Sequence, residues 1–297
     1  RRGGIVLKKL TIAGVGSVLL VTGSLTFVRV VPEEAAAAAN PVQAAAAANL
    51  HLGEVVATER RRIDYARLDA RLKRMAEEPT MVGLAVGVIE NGRITFLGGY
   101  GETLAGSGER VTPETVFRWA SVSKGVASTM VAKLAEQGKV SLQAPVARYA
   151  PGLRLPAGYE HRATVSDLLS HRLGLYRNAL DNKLEEGLPP SLLRAELGTL
   201  NPICPPGTCW SYQNIAFDAA SDIVAQQTGL SFEQAVQQQL FYPIGMTSAS
   251  MSREGLVTAR SWARPHSVGR RPLEVLEPYY RVPAAGGVNS NIKDLAL

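Results

Sequence analysis

A serine three residues ahead of a lysine is the first arrangement in this chain that could perform covalent chemistry. In Phe117-Arg118-Trp119-Ala120-Ser121-Val122-Ser123-Lys124 a helix would bring Ser121 and Lys124 onto one face, because positions i and i+3 are neighbours there. A serine hydroxyl is a poor nucleophile until a base takes its proton. A lysine can be that base once burial or nearby charge lowers its pKa from about 10.4. Ser121 would also fall in the first helical turn, whose free backbone N–H groups can hold an oxyanion. Such tetrapeptides also arise by chance, and the plain alternative is a surface lysine on a helix that begins with serine.

A second constellation follows about 90 residues later, in Pro205-Pro206-Gly207-Thr208-Cys209-Trp210-Ser211-Tyr212-Gln213-Asn214. Tyr212 and Asn214 flank one residue, so an extended backbone points both side chains the same way. A tyrosine beside a lysine can relay protons, and an asparagine amide can bind a substrate amide; taken alone, the pair is equally an ordinary turn. The chain has no Gly-x-Ser-x-Gly elbow, no Gly-x-x-x-x-Gly-Lys loop, no His-Glu-x-x-His and no complete Gly-x-Gly-x-x-Gly. Its four histidines, His51, His161, His171 and His266, lack metal-ligand spacing. This argues against a zinc or P-loop enzyme, and nothing calls for a metal or cofactor.

The elements that would position these residues are legible in outline. Residues 58–78 predict a charged amphipathic helix, with Ile63, Leu68, Leu72 and Met75 at helical spacing. Residues 81–89 and 94–99 read as strands joined at Asn91-Gly92, a strong hairpin signal. Residues 121–137 read as a helix closed by Gly138, and Thr164-Val165-Ser166-Asp167 resembles a capping box opening a short helix to Ser170. Two more helices are predicted over 217–227 and 231–240, with Gly229 between them. Strands first and a helix-rich middle make an α+β fold rather than an alternating βαβ one.

With these neighbours in view, the sequence resembles the penicillin-recognising serine hydrolases, nearest to the class C β-lactamases and the related D,D-peptidases and esterases. The matching stretches are Thr112-Pro113-Glu114-Thr115-Val116-Phe117-Arg118 ahead of Ser121-x-x-Lys124, then Leu168-Leu169-Ser170-His171-Arg172-Leu173-Gly174-Leu175. Pro206-Gly207, Tyr212-x-Asn214, Pro243-Ile244-Gly245-Met246 and Gly286-Gly287-Val288-Asn289-Ser290 follow in family order, over roughly residues 58–297. The resemblance implies a β-lactamase/transpeptidase-like fold, an antiparallel sheet flanked by helices with a helical subdomain. It implies that Ser121 is acylated, that Lys124 assists its deprotonation, and that Tyr212 serves as base or proton relay. Asn214 would bind the substrate carbonyl and help orient Lys124, while His171 falls in a stretch that is mainly structural in the family.

The implied activity is that of an exported serine hydrolase forming an acyl-enzyme with a D-alanyl-D-alanine peptide, a β-lactam or an ester. The alternative is a non-catalytic, membrane-tethered binder of peptidoglycan or penicillin with the same fold. The family's third motif, a Lys or His two residues before a Gly on a core strand, is not reached by Leu297. On that reading residues 51–297 form a hydrolase domain lacking its C-terminal strands, with the edge of the hairpin left unpaired.

Composition places this domain. The 297 residues are 46% hydrophobic, too apolar for a disordered chain, and two cysteines exclude a disulfide-stapled miniature. The net charge of +6 suggests nucleic acid until it is located. Arg1, Arg2, Lys8, Lys9 and Arg29 lie in residues 1–31 with no acid; set aside, they leave 27 basic against 26 acidic side chains, and no basic face for nucleic acid. Residues 10–28 carry no charge and, at about 1.5 Å per residue, nearly span a hydrocarbon core of about 30 Å. Residues 1–31 therefore read as a cleaved signal peptide or a membrane anchor, placing the domain in the periplasm or outside the inner membrane.

Residues 32–50, with Ala-Ala-Ala-Ala-Ala-Asn at 35–40 and again at 44–49, read as a linker outside the fold. Cys204 and Cys209 bracket four residues just before Tyr212. In an exported protein they would close a short disulfide stiffening the Tyr-x-Asn loop, the alternative being two buried thiols.

Overall fold

The computed structural model describes Val18–Thr22, Ser24–Val28 and residues 63–297, and the chain divides into units of residues 1–63 and 64–297. In the first unit β1 (Val18–Thr22) pairs antiparallel with β2 (Ser24–Val28), Val18 opposite Val28. Both strands fall within the apolar run. Among the described residues no helix is long and apolar enough to cross a membrane. The rest of the leader, the Ala-rich linker and residues 51–62, including the start of the helix expected from residue 58, lie outside the described residues.

The second unit opens with α1 (Tyr65–Ala76), whose N-cap Asp64 accepts from the Arg67 N–H at 2.9 Å. It packs on the hairpin of β3 (Gly83–Glu90) and β4 (Arg93–Gly101). Asn91 and Gly92 both take left-handed backbone, φ 53° and 71°, giving the two-residue turn whose twist suits the flanking strands. The Tyr65 and Phe96 rings stack at 5.8 Å, and the Tyr100 hydroxyl donates to Asp69 at 2.7 Å. These two contacts fasten α1 across the hairpin.

β5 (Phe117–Arg118) leads through a 3₁₀ turn (Ala120–Val122) into α2 (Ser123–Glu136). Ala127, Met130, Val131 and Leu134 recur at helical spacing and are all buried, so one stripe of α2 faces the core. α3 (Val165–Leu169) starts with the predicted capping box, Thr164 and Asp167 each satisfying the other's backbone N–H. Then come α4 (Asp181–Glu185), α5 (Pro190–Glu196) and α6 (Ala219–Thr228), the last ended by Gly229 at φ 71°. α7 (Phe232–Val236) runs into a π turn (Gln237–Phe241) and α8 (Tyr242–Ile244), so the single helix expected over 231–240 is broken.

The chain finishes with α9 (Arg253–Val257), α10 (Pro283–Gly286), β6 (Asn289–Ser290) and α11 (Ile292–Ala296). Phe217, Phe241, Met130, Leu134 and Leu168 centre the main core, which α2, α6, α7 and α10 surround. The α+β expectation holds. The strands occur among the described residues as separate antiparallel pairs, β3 with β4 and β5 with β6, rather than as one broader sheet. α11 covers part of β3, where a side chain at Gly87 would meet Ile292 and Ala296.

Candidate active site

Lys124 continues the buried stripe of α2, three residues ahead of Ala127 and seven ahead of Val131, and is only 7% exposed. That placement removes the surface-lysine alternative. Its ammonium nitrogen donates to Asn214 Oδ1 at 2.7 Å and to the Ala285 carbonyl at 2.8 Å. It also lies 4.7 Å from the centre of the Tyr212 ring. Burial lowers the lysine's pKa from its ordinary value, against the opposing pull of Tyr212, Asp181 and Asp218.

Ser121 sits one turn earlier, exposed at the mouth of the helix. Its turn is 3₁₀, with about three residues per turn, which aligns positions 121 and 124. Ala120 ahead of it has φ 46°, left-handed backbone that costs a non-glycine residue on the order of 1–3 kcal/mol. The sharp reversal from β5 into α2 is made there. The Ser121 hydroxyl accepts a hydrogen bond from the Tyr212 phenol at 2.6 Å. The direct meeting of Ser121 and Lys124 expected from spacing alone is thus replaced by a tyrosine that touches both.

Tyr212 and Asn214 converge on the helix because residues 203–214 are laid along residues 171–178. The N–H groups of Ile203, Gly207 and Ser211 donate to the carbonyls of Gly174, Arg172 and His171, and the Asn178 N–H donates to the Tyr212 carbonyl. At Gly174, φ 80°, an added Cβ would lie 2.2 Å from the Cys204 carbonyl oxygen, so only glycine allows this approach. Cys204 and Cys209 are joined by a disulfide, which closes the bend before Tyr212.

His171 lies behind the tyrosine rather than in front of it. Its ring is 4.6 Å from that of Tyr212 and 5.2 Å from that of Phe217, and Nδ1 accepts from the Gln213 N–H at 3.2 Å. Burial, and then the charge of Lys124, push its pKa down to about 4. It is a neutral packing and hydrogen-bonding residue.

Three participants carry no motif signal. Asp181, the first residue of α4, accepts from the Asn214 amide nitrogen through Oδ2 at 2.6 Å, while its Oδ1 is buried with no partner among the described residues. The Ala285 acceptor is a backbone carbonyl, visible in sequence only as the neighbour of Gly286-Gly287. Asp218 pairs with Arg194 at 2.8 Å and accepts from the Ala284 N–H at 3.1 Å, fixing α10 where its carbonyl reaches Lys124. The stretch after it is stitched to the nucleophile's own segment. Trp119 N–H donates to the Val288 carbonyl, and Val288 N–H donates to Ser123 Oγ at 3.0 Å.

A cavity of about 340 Å³ opens over Ser121, Tyr212 and Asn214, bordered by Asp181, Arg118 and Arg177. It presents a serine hydroxyl, a phenol hydrogen-bonded to it and a buried amine behind, groups of the kinds that acyl transfer uses. The Beta-lactamase family model matches residues 68–297. The chain belongs to the beta-lactamase family.

This beta-lactamase family member is 32% identical over 169 residues to the D-alanyl-D-alanine-carboxypeptidase/endopeptidase AmpH of Escherichia coli K12, covering 55% of this chain and 44% of that protein. It is 30% identical over 198 residues to the esterase EstB of Burkholderia gladioli, covering 61% and 50%. The chain spans about half the length of these curated relatives. Among solved structures it is similar to a class C beta lactamase, with a TM-score of 0.65 at 24% identity over 80% of this chain and 65% of the other. A beta-lactamase/D-alanine carboxypeptidase from Pseudomonas syringae gives a TM-score of 0.64 at 23% identity, covering 77% and 62%. These likenesses show the β-lactamase/transpeptidase-like fold.

Proposed function

We propose that this chain carries the acylation centre of an exported serine hydrolase that works through an acyl-enzyme. The contact that carries this reading is the 2.6 Å hydrogen bond between Tyr212 and Ser121, set beside a lysine whose proton affinity burial reduces. Two of the tetrahedral positions on Lys124 Nζ are taken by Asn214 and Ala285, which leaves one free on a nitrogen that lies 4.7 Å from the centre of the Tyr212 ring. In the neutral amine that position holds a lone pair.

Acylation then proceeds with every proton placed. The phenol proton, donated to Ser121 in the resting contact, first turns toward Lys124. Ser121 Oγ then attacks the acyl carbon, its proton passing to the Tyr212 oxygen as the phenol proton passes to Lys124. The Ser121 backbone N–H, at the free start of the helical turn, stabilises the oxyanion. On collapse the proton returns through Tyr212 to the leaving nitrogen or oxygen. Water repeats the sequence to release the acid.

Arg118 and Arg177 border the cavity, and neither forms an ion pair among the described residues. They favour an acyl donor that carries a carboxylate, as D-alanyl-D-alanine peptides and β-lactams do and simple esters do not. The apolar run behind Lys8-Lys9 and the disulfide both favour export to an oxidising compartment, with the leader cleaved or retained as an anchor.

Treating the full chain with a fluorescent penicillin and with p-nitrophenyl acetate tests the reading. Covalent label and ester release are expected in the wild type and lost in Ser121→Ala, with Lys124→Ala slowing acylation by about 100-fold or more. Label that survives Ser121→Ala would overturn the nucleophile assignment. A wild-type chain inert to both reagents would leave the non-catalytic binder.

A further inference from the structure

We infer that Asp181 is a positioning residue of the acylation centre, holding the Asn214 amide so that its oxygen, and not its NH₂ group, meets Lys124; this rests on the reading of Ser121 and Lys124 above. An amide has a donor end and an acceptor end of nearly equal shape, and a lysine ammonium offers it donors alone. Were Asn214 flipped, two donors would face each other at 2.7 Å, and Lys124 would lose one of its two acceptors. A carboxylate accepts only. Its Oδ2 at 2.6 Å from Asn214 Nδ2 therefore fixes the sequence of polarity, Asp181 to amide NH₂, amide oxygen to ammonium.

Asp181 occupies this place at a cost. The residue is 7% exposed, and its second carboxylate oxygen is buried without a partner among the described residues. Leu180, immediately before it, is held in left-handed backbone at φ 65°. Stability alone would favour an apolar residue here. A half-satisfied buried carboxylate next to a strained position, one residue removed from the nucleophile's lysine by a single amide, is better explained by what it does to Asn214 and Lys124.

Its charge has a second effect. Lys124 faces Tyr212, Asp181 and Asp218, with neutral His171 behind the ring; Asp181 in turn faces Glu185 and Tyr279, and shares the cavity with Arg118 and Arg177. Burial raises the pKa of Asp181 above its ordinary value, opposed by the Asn214 hydrogen bond and by Lys124 and slightly reinforced by Glu185. In its ionised form it counters the desolvation that lowers Lys124, and so sets how far that lowering goes.

The test reads Lys124 directly. The 297-residue chain carrying ¹³C at the lysine ε-carbons is titrated by NMR without substrate, the Lys124 resonance being assigned with Lys124→Arg. Asp181→Asn keeps an acceptor for Asn214 and removes the charge. It is expected to lower the Lys124 midpoint by about one unit and to move the acidic limb of penicillin labelling to lower pH by the same amount. Asp181→Leu removes the acceptor as well, and labelling is expected to fall a further tenfold or so. A Lys124 midpoint unchanged in Asp181→Asn would overturn the inference, as would equal labelling losses in both variants with no shift. If Asp181→Leu fails to fold, Asp181→Asn alone decides. A wild type that takes no label would strike the acyl-enzyme reading, while the resonance would still judge Asp181.

Discussion

Around α2 the large apolar side chains are sealed, with Met130, Val131, Leu134 and Phe217 at 1% exposure or less. The polar groups among them are bonded across distant segments, Lys124 to residues 214 and 285 and Ser123 to residue 288. The β3–β4 hairpin is built otherwise. Leu84, Val86, Val88, Ile94, Phe96 and Leu97 are only half-buried, Ile89 is exposed, and the two strands have α1 and α11 as their cover. The contrast separates two tasks. Among the described residues the proposed acylation geometry rests on the helical body, where Lys124 is bonded to two distant segments. No hydrogen bond among those residues joins the hairpin to Ser121, Lys124, Tyr212 or Asn214, so loosening the hairpin is expected to leave Ser121 in place.

The most direct way to break this contrast is to cut equivalent side chains from both regions. Met130→Ala, at a site with no exposure, is expected to cost about 2–5 kcal/mol. Phe96→Ala, half-buried against Tyr65, is expected to cost about 1–2 kcal/mol. Denaturant unfolding of the full chain measures both. Equal losses, or penicillin labelling that fails in Phe96→Ala while the chain stays folded, would show that the hairpin shares in holding the site.

The same division explains what could be read from sequence. Ser121, Lys124, Tyr212 and Asn214 are legible in sequence because the family resemblance assigns them roles; their local spacing alone leaves a surface lysine and an ordinary turn as equal readings. What spacing could not supply was the partner of each: the serine meets Tyr212 because the 203–214 arm lies along residues 171–178, a pairing set by backbone hydrogen bonds rather than side-chain pattern. Asp181 stayed invisible because a single aspartate 33 residues from Asn214 carries no periodic signal. Ala285 stayed invisible because its acceptor is backbone. In the fold, turn chemistry at Asn91-Gly92 and Thr164 gave reliable edges. The π turn over Gln237–Phe241 has no such marker, and neither does the short β5–β6 pairing, which depends on a partner about 170 residues away.

An effect smaller than that of Met130→Ala is expected from the disulfide, and it sharpens the contrast. Closing so short a loop limits the unfolded chain by about 2 kcal/mol, so the double variant Cys204→Ser, Cys209→Ser should lose about that much stability. Its penicillin labelling should stay within about twofold of wild type, because four backbone hydrogen bonds from residues 203, 207, 211 and 178 hold the arm independently of the sulfur bridge. Labelling that collapses on reduction, in a chain that remains folded, would make the bridge and not the backbone the true holder of Tyr212.

The smallest effect separates the regions by pH. His171 is neutral when folded, with a pKa near 4 against 6.5 for the free side chain. Between those values the unfolded chain takes up a proton that the native chain refuses, so the share of stability set by His171 is flat above pH 6.5 and falls as the pH drops toward 4. Because part of the ring remains in reach of solvent, the loss attributable to this residue should be about 1 kcal/mol, less than the bare pKa difference implies. Asn suits the left-handed backbone at position 171, φ 60°, and cannot titrate, so His171→Asn should remove this share of the acid slope. Amide exchange can locate the response. As the pH falls, protection should weaken first in residues 203–214, which His171 backs, and remain level across β3 and β4. A slope unchanged in His171→Asn would mean that the acid sensitivity resides in other groups and that the ring behind Tyr212 is held by packing alone.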